Sequence, residues 1–326
     1  MARISYRSQV IEVADGETVL ECLERVGCAP PSSCRAGTCQ SCLMKATSGS
    51  PPPAAQQGLK DAWREQGLFL ACACRPTADL VVVDADAGGI EVSGILAARE
   101  VLSDEVVRVR LATAAPFDYR AGQFVSVIRP SDRFTRPYSL ASLPSDPYLE
   151  LHIRRVPGGR MSTWLCDEAA IGASVQLRGP AGECFYVAAE DQPLVLAGTS
   201  TGLAPLVGVV RDALDRGHHG PIALFHGSVR ASGLYLADEL DELAAYPNVT
   251  VVRSVLEGPA PDGVVQEGLD ELVLGSGHDL KAARAWLCGA PELVRLLKKK
   301  LFLAGMPLKA IASDPFQQAT TASPAR

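Results

Sequence analysis

Three cysteines stand in a C-x4-C-x2-C run, Cys34-Arg35-Ala36-Gly37-Thr38-Cys39-Gln40-Ser41-Cys42. A fourth, Cys72, follows after 29 intervening residues in Leu70-Ala71-Cys72. Sulfur ligands of one inorganic centre must converge, so a short loop supplies three and a returning segment supplies one. The spacing suits a [2Fe–2S] cluster. Ala36, Gly37 and Ser41 are small and leave backbone N–H groups room to reach the sulfurs, and such bonds tune the potential. Four cysteines also suit Zn²⁺, but structural zinc is usually held by paired C-x2–4-C knuckles, and a single such pair is present here. Iron–sulfur chemistry is therefore expected, with a zinc-stabilised interaction module as the alternative.

A second group of residues suits a flavin. In Arg136-Pro137-Tyr138-Ser139, Arg136 offers a planar fork for diphosphate oxygens. Tyr138 can stack on an isoalloxazine face, and Ser139 can hydrogen-bond near the ring nitrogen that accepts hydride. Starting 22 residues further on, Gly158-Gly159-Arg160-Met161-Ser162 marks a helix entry, Met161 to Ala169. Its glycines let N–H groups approach a pyrophosphate, and the helix dipole favours that charge by about 0.3–1 kcal/mol.

A third group suits a dinucleotide. Gly198-Thr199-Ser200-Thr201-Gly202-Leu203-Ala204-Pro205 follows the apolar run Leu194 to Ala197. It is not a G-x-G-x-x-G fingerprint. It does place Gly198 and Gly202 at a strand-to-helix turn, with the Thr199, Ser200 and Thr201 hydroxyls nearby and Pro205 early in the helix. Cys288-Gly289-Ala290-Pro291 ends a later strand, where ligands of parallel sheets bind. Arg230 follows the second strand and is either a partner for a 2′-phosphate or a solvated surface arginine. His218-His219, in a glycine-rich turn, is expected to be solvent-exposed, and His226 is expected to follow a strand.

The elements that must position these groups fall into three stretches. Residues 1–88 read as two short strands within Ile4 to Val13, then a helix capped by Asp15 with Val19, Leu20, Leu23 and Val26 on one face. The cysteine loop, a strand from Leu43, a helix within Leu59 to Gln66 and a strand at Leu80 to Val83 complete them. Ser48 to Pro53 cannot continue a strand, because proline lacks the ladder N–H. Asp84 to Gly89 has linker composition. Residues 89–187 carry short β segments between Pro/Gly turns, as in a closed antiparallel six-stranded barrel. In residues 188–326 strands alternate with helices, as in a doubly wound parallel sheet. Strands are expected at Leu194, Ile222, Val249, Ala285 and Leu308.

At 326 residues the chain has room for such a multidomain arrangement. A net charge of -6 argues against a nucleic-acid or anionic-membrane partner. No apolar run reaches spanning length, and the polar start after Met1 lacks a signal-peptide core. Ten cysteines without such a signal favour a reducing, cytoplasmic setting. Cys22, Cys28, Cys166 and Cys184 are read as small buried hydrophobes.

Taken together, residues 1–90 resemble a plant-type ferredoxin of β-grasp (α+β) fold, and the two later stretches resemble the FAD and nicotinamide domains of the ferredoxin–NADP⁺ reductase superfamily. Gly172-Ala173-Ser174-Val175 and Arg178-Gly179-Pro180-Ala181-Gly182 match that superfamily's pattern too. The resemblance implies cluster ligands Cys34, Cys39, Cys42 and Cys72. Cys72 is chosen because the family's ligand follows Leu-Ala; if Cys72 and Cys74 share a strand they face one side, leaving Cys74 as a spare thiol or the true ligand. The resemblance further implies FAD on Arg136, Tyr138, Ser139, Gly158, Gly159 and Ser162, and NADH or NADPH on Gly198, Thr199, Thr201, Gly202, Pro205 and Arg230. Cys288 would lie beside the nicotinamide, and Phe316 corresponds to an aromatic that shields the flavin.

The domain order is similar to that of reductase components of multicomponent oxygenases, whose relatives mostly use NADH. The expected activity is passage of hydride electrons through FAD to the cluster and, singly, to a terminal oxygenase or its ferredoxin; a monomer is expected. Plant-type clusters sit at about -400 mV. The alternatives are a reductase for a deoxysugar dehydrase, and a flavin/iron–sulfur carrier or sensor without nicotinamide turnover.

Overall fold

In the computed structural model, residues 2–28, 30, 32, 35, 37, 42–85 and 90–316 are described. The chain divides into two compact units, residues 1–88 and 89–326.

In the first unit, β1 (Arg3–Tyr6) and β2 (Gln9–Glu12) form a hairpin. Its two turn residues, Arg7 and Ser8, have φ of 45° and 71°, as a turn matched to the strands' right-handed twist requires. Helix α1 (Val19–Arg25) is capped by Thr18 rather than Asp15. Thr18 Oγ1 accepts from the Glu21 N–H at 3.2 Å, and the Glu21 carboxylate accepts from the Thr18 N–H at 2.8 Å. This reciprocal pair satisfies two donors at once. Then come β3 (Leu43–Ser48), α2 (Asp61–Glu65), β4 (Leu68–Leu70) and β5 (Leu80–Asp84). The sheet order is β2-β1-β5-β3-β4, with β5 parallel to β1 and antiparallel to β3. Val19, Leu20 and Leu23 of α1 pack with Ile4, Met44, Phe69, Leu80 and Val82 of the sheet. The proline stretch leaves the sheet and enters a 3-10 turn at Pro53–Gln56.

The second unit opens with β6 (Ile90–Val101), β7 (Val106–Thr113), β8 (Phe124–Ile128), β9 (Thr135–Ser139), β10 (Leu149–Arg154), α3 (Arg160–Thr163) and β11 (Ser174–Ala181). These strands make an antiparallel sheet of order β10-β7-β6-β11-β8-β9. A bridge between Leu140 and Leu151 links the chain beyond β9 to β10. The helix expected over 161–169 is a single α turn that opens into a π turn, Trp164–Glu168. The Ala169 N–H bonds the Trp164 carbonyl at 2.8 Å. That wider winding keeps Leu165, Cys166 and Ala169 in the core with Met161.

Next are β12 (Leu194–Thr199), α4 (Leu203–Asp215), β13 (Ile222–Ser228), α5 (Ala237–Ala244), β14 (Val249–Val255), β15 (Val264–Gln266), α6 (Leu269–Leu274), β16 (Arg284–Gly289), α7 (Pro291–Leu303) and β17 (Ile311–Pro315). All pair in parallel, in the order β15-β14-β13-β12-β16-β17. The strand order therefore reverses beside β12. Alternation along β12 explains why helices cover both faces. Leu194 and Leu196 pack with Leu203, Leu206 and Val210 of α4, while Val195 and Ala197 pack with Val294, Leu297 and Leu301 of α7.

Three local expectations are corrected. The last strand starts at Ile311, because Leu308–Ala310 winds into a 3-10 turn behind Pro307. His218 is buried, its Nδ1 3.1 Å from the Tyr186 hydroxyl, and only its neighbour His219 is exposed. His226 lies within β13 and is fully buried. Among the described residues no helix is long and apolar enough to cross a membrane.

Candidate functional site

In the first unit, the register of β3 against β4 pairs Leu43 with Leu70. Cys42 stands just before one strand and Cys72 just after the other. The Ala71 N–H donates to the Cys42 carbonyl at 3.0 Å, closing the ladder between them. Burial pushes the Cys42 thiol up, while the backbone N–H of Cys72 favours its thiolate and pulls the other way. An N–H aimed at a thiolate sulfur is what a cluster ligand needs. Gly37 reaches this turn as well: a Cβ built on it would lie 3.9 Å from Ala73 and from Leu70. Cys34 and Cys39 lie outside the described residues.

Cys72 and Cys74 do not share a strand, since Ala71–Ala73 forms a 3-10 turn. Their side chains separate. Cys72 is half-exposed beside Cys42, whereas Cys74 has no exposed surface. Cys74 belongs to the core around Val19 and Leu20, and burial alone pushes its thiol up to about 12. Its carbonyl accepts from the Val19 N–H at 2.8 Å, fixing the start of α1. The residues present fit a cluster on the Cys42–Cys72 side and give Cys74 a packing role.

In the second unit, β9 carries Arg136, Tyr138 and Ser139 opposite β8. Arg136 and Tyr138 project to one face and Ser139 to the other. Tyr138 is half-buried, and burial pushes its hydroxyl well up. The Arg136 and Arg160 guanidinium carbons lie 4.3 and 4.2 Å from the Phe134 ring centre. Stacking on one ring holds two positive charges together. Asp132 steadies the group, accepting from Arg160 at 2.6 Å, and the Arg129 guanidinium holds its carboxyl well below the usual range. The first N–H groups of α3 have no intrahelical acceptor. Gly158 holds φ 69° at that entry, and a Cβ on Gly159 would meet Val156 at 2.9 Å. Two cations and a helix start fit a diphosphate. The Ser162 hydroxyl is spent locally, accepting from Val156 N–H and donating to the Gly159 carbonyl.

The parallel sheet aligns a row of residues near its carboxyl edge. Arg253, His226, Gly198, Cys288 and Asp314 are successive register partners across β14, β13, β12, β16 and β17. Beside the strand-order reversal, the β12 and β16 loops touch backbone to backbone. A Cβ on Gly202 would stand 2.6 Å from the Cys288 carbonyl carbon and 2.8 Å from the Gly289 nitrogen. Thr199 Oγ1 accepts from the Ala290 N–H at 3.1 Å, and the Phe316 N–H donates to the Gly289 carbonyl at 2.8 Å. Thr201 lies in the 3-10 turn Ser200–Gly202, and Pro205 is buried in the first turn of α4.

One observation tests this loop for an anionic ligand. Ser200, at φ 50°, has a buried hydroxyl with no hydrogen-bond partner among the described residues. His226 is fully buried, edge-on to the Tyr235 ring at 5.3 Å. Burial lowers His226 to about 4, against the opposing pull of the Ser200 backbone, so the ring is neutral at pH 7. An unsatisfied hydroxyl at a strand-to-helix turn fits a phosphate that supplies the acceptor.

Ser139 joins the two halves of this unit. Its hydroxyl donates to Asp314 Oδ2 at 3.0 Å. Burial pushes the Asp314 carboxyl up, partly opposed by that bond. Cys288 is fully buried next to Asp314 in register, and its thiol lies 3.9 Å from Cys184 Sγ. Burial pushes the Cys288 thiol up, so it is a neutral group rather than a nucleophile. Motif reading assigns no role to Arg160 or Asp314. The signal for Asp314 was its place in a last short strand after α7; nothing in the sequence paired it with Ser139.

Known domain families match three successive stretches. Residues 3–77 match a 2Fe-2S iron–sulfur cluster binding domain, residues 93–186 an oxidoreductase FAD-binding domain, and residues 195–299 an oxidoreductase NAD-binding domain. The fold and these sites define an oxidoreductase that uses a [2Fe–2S] cluster, FAD and a nicotinamide nucleotide. The chain is 30% identical over 320 residues to the ferredoxin–NAD(P)⁺ reductase component of the naphthalene 1,2-dioxygenase system of Pseudomonas putida, covering 96% of this chain and 97% of the relative. It is 34% identical to the reductase subunit of an aromatic O-demethylase from Amycolatopsis sp., covering 97% and 99%. Among solved structures, the Amycolatopsis cytochrome P450 reductase GcoB matches with a TM-score of 0.67 at 32% identity, over 98% of this chain and 100% of that one. The chain belongs to the family of ferredoxin–NAD(P)⁺ reductase components of oxygenase systems.

Proposed function

We propose that this chain takes hydride from NADH and delivers its electrons one at a time to a terminal oxygenase component or its ferredoxin. Three modules divide the work: a β-grasp ferredoxin in 1–88, a closed FAD-binding barrel in 89–187 and a nucleotide-binding domain in 188–326. When bound, FAD supplies the step from paired to single electrons and the cluster supplies one-electron carriage. The chain's own residues bind and orient. Arg136, with the Gly158–Gly159 turn and the start of α3, holds the flavin diphosphate, and Ser162 shapes that turn. Tyr138 covers the ring. Gly198, Thr199, Thr201, Gly202 and Pro205 form the nucleotide loop, and Phe316 sits beside it. Ser139 and Cys288 face the reacting centres, and Asp314 orients the Ser139 hydroxyl. Cys34, Cys39, Cys42 and Cys72 are the cluster ligands.

The observation that carries this reading is the Ser139–Asp314 hydrogen bond. It ties the flavin motif to the edge of the sheet where Cys288 and the nucleotide loop meet. A net charge of -6 speaks against a nucleic-acid partner, and the free thiols of the described cysteines suit a reducing cytoplasm.

The test is the Cys39→Ser variant with two artificial acceptors. NADH–ferricyanide reduction, which flavin alone can serve, should survive. Cytochrome c reduction, which needs the cluster, should fail. Loss of both with FAD still bound, or retention of both with iron gone, would sink the proposed sequence of carriers.

A further inference from the structure

This inference rests on the nucleotide-binding reading above and concerns which nucleotide is chosen. A dinucleotide has two ends, and the sheet offers two sides of the reversal at β12. Ser139 and Asp314 tie the flavin motif to β17, so the nicotinamide end belongs on the β16–β17 side. The glycine loop after β12 takes the middle. The adenosine end is then directed over β13 and β14.

There the chain carries an exposed pair of opposite charges. The Leu256 N–H donates to the Ser228 carbonyl at 3.2 Å, and the Glu257 N–H donates to the Val229 carbonyl at 2.8 Å. These bonds extend the β13–β14 pairing and hold the two loops side by side. Arg230 Nη2 donates to Glu257 Oε2 at 3.2 Å, with both side chains exposed (73% and 60%). An ion pair so exposed contributes little to the fold. The next cation on this side, Arg253, is engaged by Asp241 at 3.1 Å.

We propose that Glu257 makes this chain select NADH over NADPH. Its carboxylate accepts from the adenosine ribose hydroxyls, the task an acidic residue has in G-x-G-x-x-G sheets, but here from the loop after β14. The same carboxylate occupies Arg230, whose fork would otherwise take a 2′-phosphate bidentately. A phosphate brought beside Glu257 meets a like charge and must compete with that carboxylate for Arg230.

Steady-state kcat/KM with ferricyanide, and calorimetric titration with NAD⁺ and NADP⁺, test this in the FAD- and cluster-loaded protein. The wild type should prefer NADH by about tenfold or more. Glu257→Gln should raise kcat/KM for NADPH and tighten NADP⁺ binding by about tenfold, while lowering both for the NADH pair by about threefold. Adding Arg230→Ala should erase the NADPH gain. An unchanged NADPH-to-NADH ratio in Glu257→Gln, with turnover intact, overturns the role of Glu257 and leaves the proposed function standing. Absence of turnover with either nucleotide in the wild type overturns both.

Discussion

The cysteine region of the first unit and the carboxyl-edge row of the second solve one problem in opposite ways. The cysteine region draws on neighbours in the chain: three cysteines stand within nine residues, and Cys72 follows β4, the strand that pairs with β3 just after Cys42. The row gathers Ser139, Gly198, Cys288 and Asp314 from four strands in two sheets. A local constellation can be read from spacing and fails all at once when a member is lost. A dispersed one can be seen only in the register, and each member should fail by degrees.

The largest expected effect separates two cysteines two positions apart. Cys72→Ser should abolish iron and acid-labile sulfide in the purified protein. Cys74→Ser should keep the cluster and cost about 1–3 kcal/mol of stability, because it buries a hydroxyl in an apolar core. Equal iron in the two variants would erase the distinction between ligand and packing thiol.

In the dispersed site, Ser139→Ala and Asp314→Ala should each lower the rate of flavin reduction by NADH about hundredfold without releasing FAD. The double variant should be little worse than either single one, since both remove the same hydrogen bond. Additive losses in stopped-flow measurements would mean that the two residues act independently.

Gly202→Ala should cost about 1–3 kcal/mol of stability, measured by chemical denaturation, because its methyl group meets the Cys288–Gly289 backbone. NADH binding should weaken while cluster and flavin spectra persist. Unaltered NADH affinity would show that the contact between the β12 and β16 loops does not shape the nucleotide site.

His226 gives the row a pH signature of its own. Burial lowers its pKa from 6.5 to about 4. The folded state thus favours the neutral ring, so this stability is complete above 6.5 and is lost as pH falls from there towards 4. The loss near pH 5 should be about 2 kcal/mol. The thermal midpoint of the second unit's transition should fall accordingly, and His226→Asn should flatten the slope. The smallest effect belongs to the local side: Thr18→Ala should cost about 1 kcal/mol by removing the α1 cap, and no loss at all would deny the capping box any part in stability.

Much was legible in the sequence because it depends on neighbours. The C-x4-C-x2-C spacing, the switch from short β segments to strand–helix alternation, and Pro291 opening α7 are all set by local sterics and hydrogen bonding. Thr18 was missed as the cap although Glu21 stood three residues on, the spacing of a capping box. The different surroundings of Cys72 and Cys74, one half-exposed and one in the core, needed the 3-10 turn between them. Asp314 became visible only when β17 paired with β16, since a side chain 175 residues from Ser139 has no local signal of its partner. His218 reads as exposed because its turn is rich in glycine, and His226 reads as lying past a strand, yet burial follows from what packs over an element, not from the residues beside it.

The amino-acid order alone determined which cofactors this chain can accommodate, since thiol spacing and glycine turns are short-range properties of the backbone. Tertiary structure decided which thiol faces Cys42, which carboxyl meets Ser139 and which acid holds Arg230. Those partnerships rest on strand register and sheet packing, and a register is fixed only when a whole hydrophobic face is buried at once.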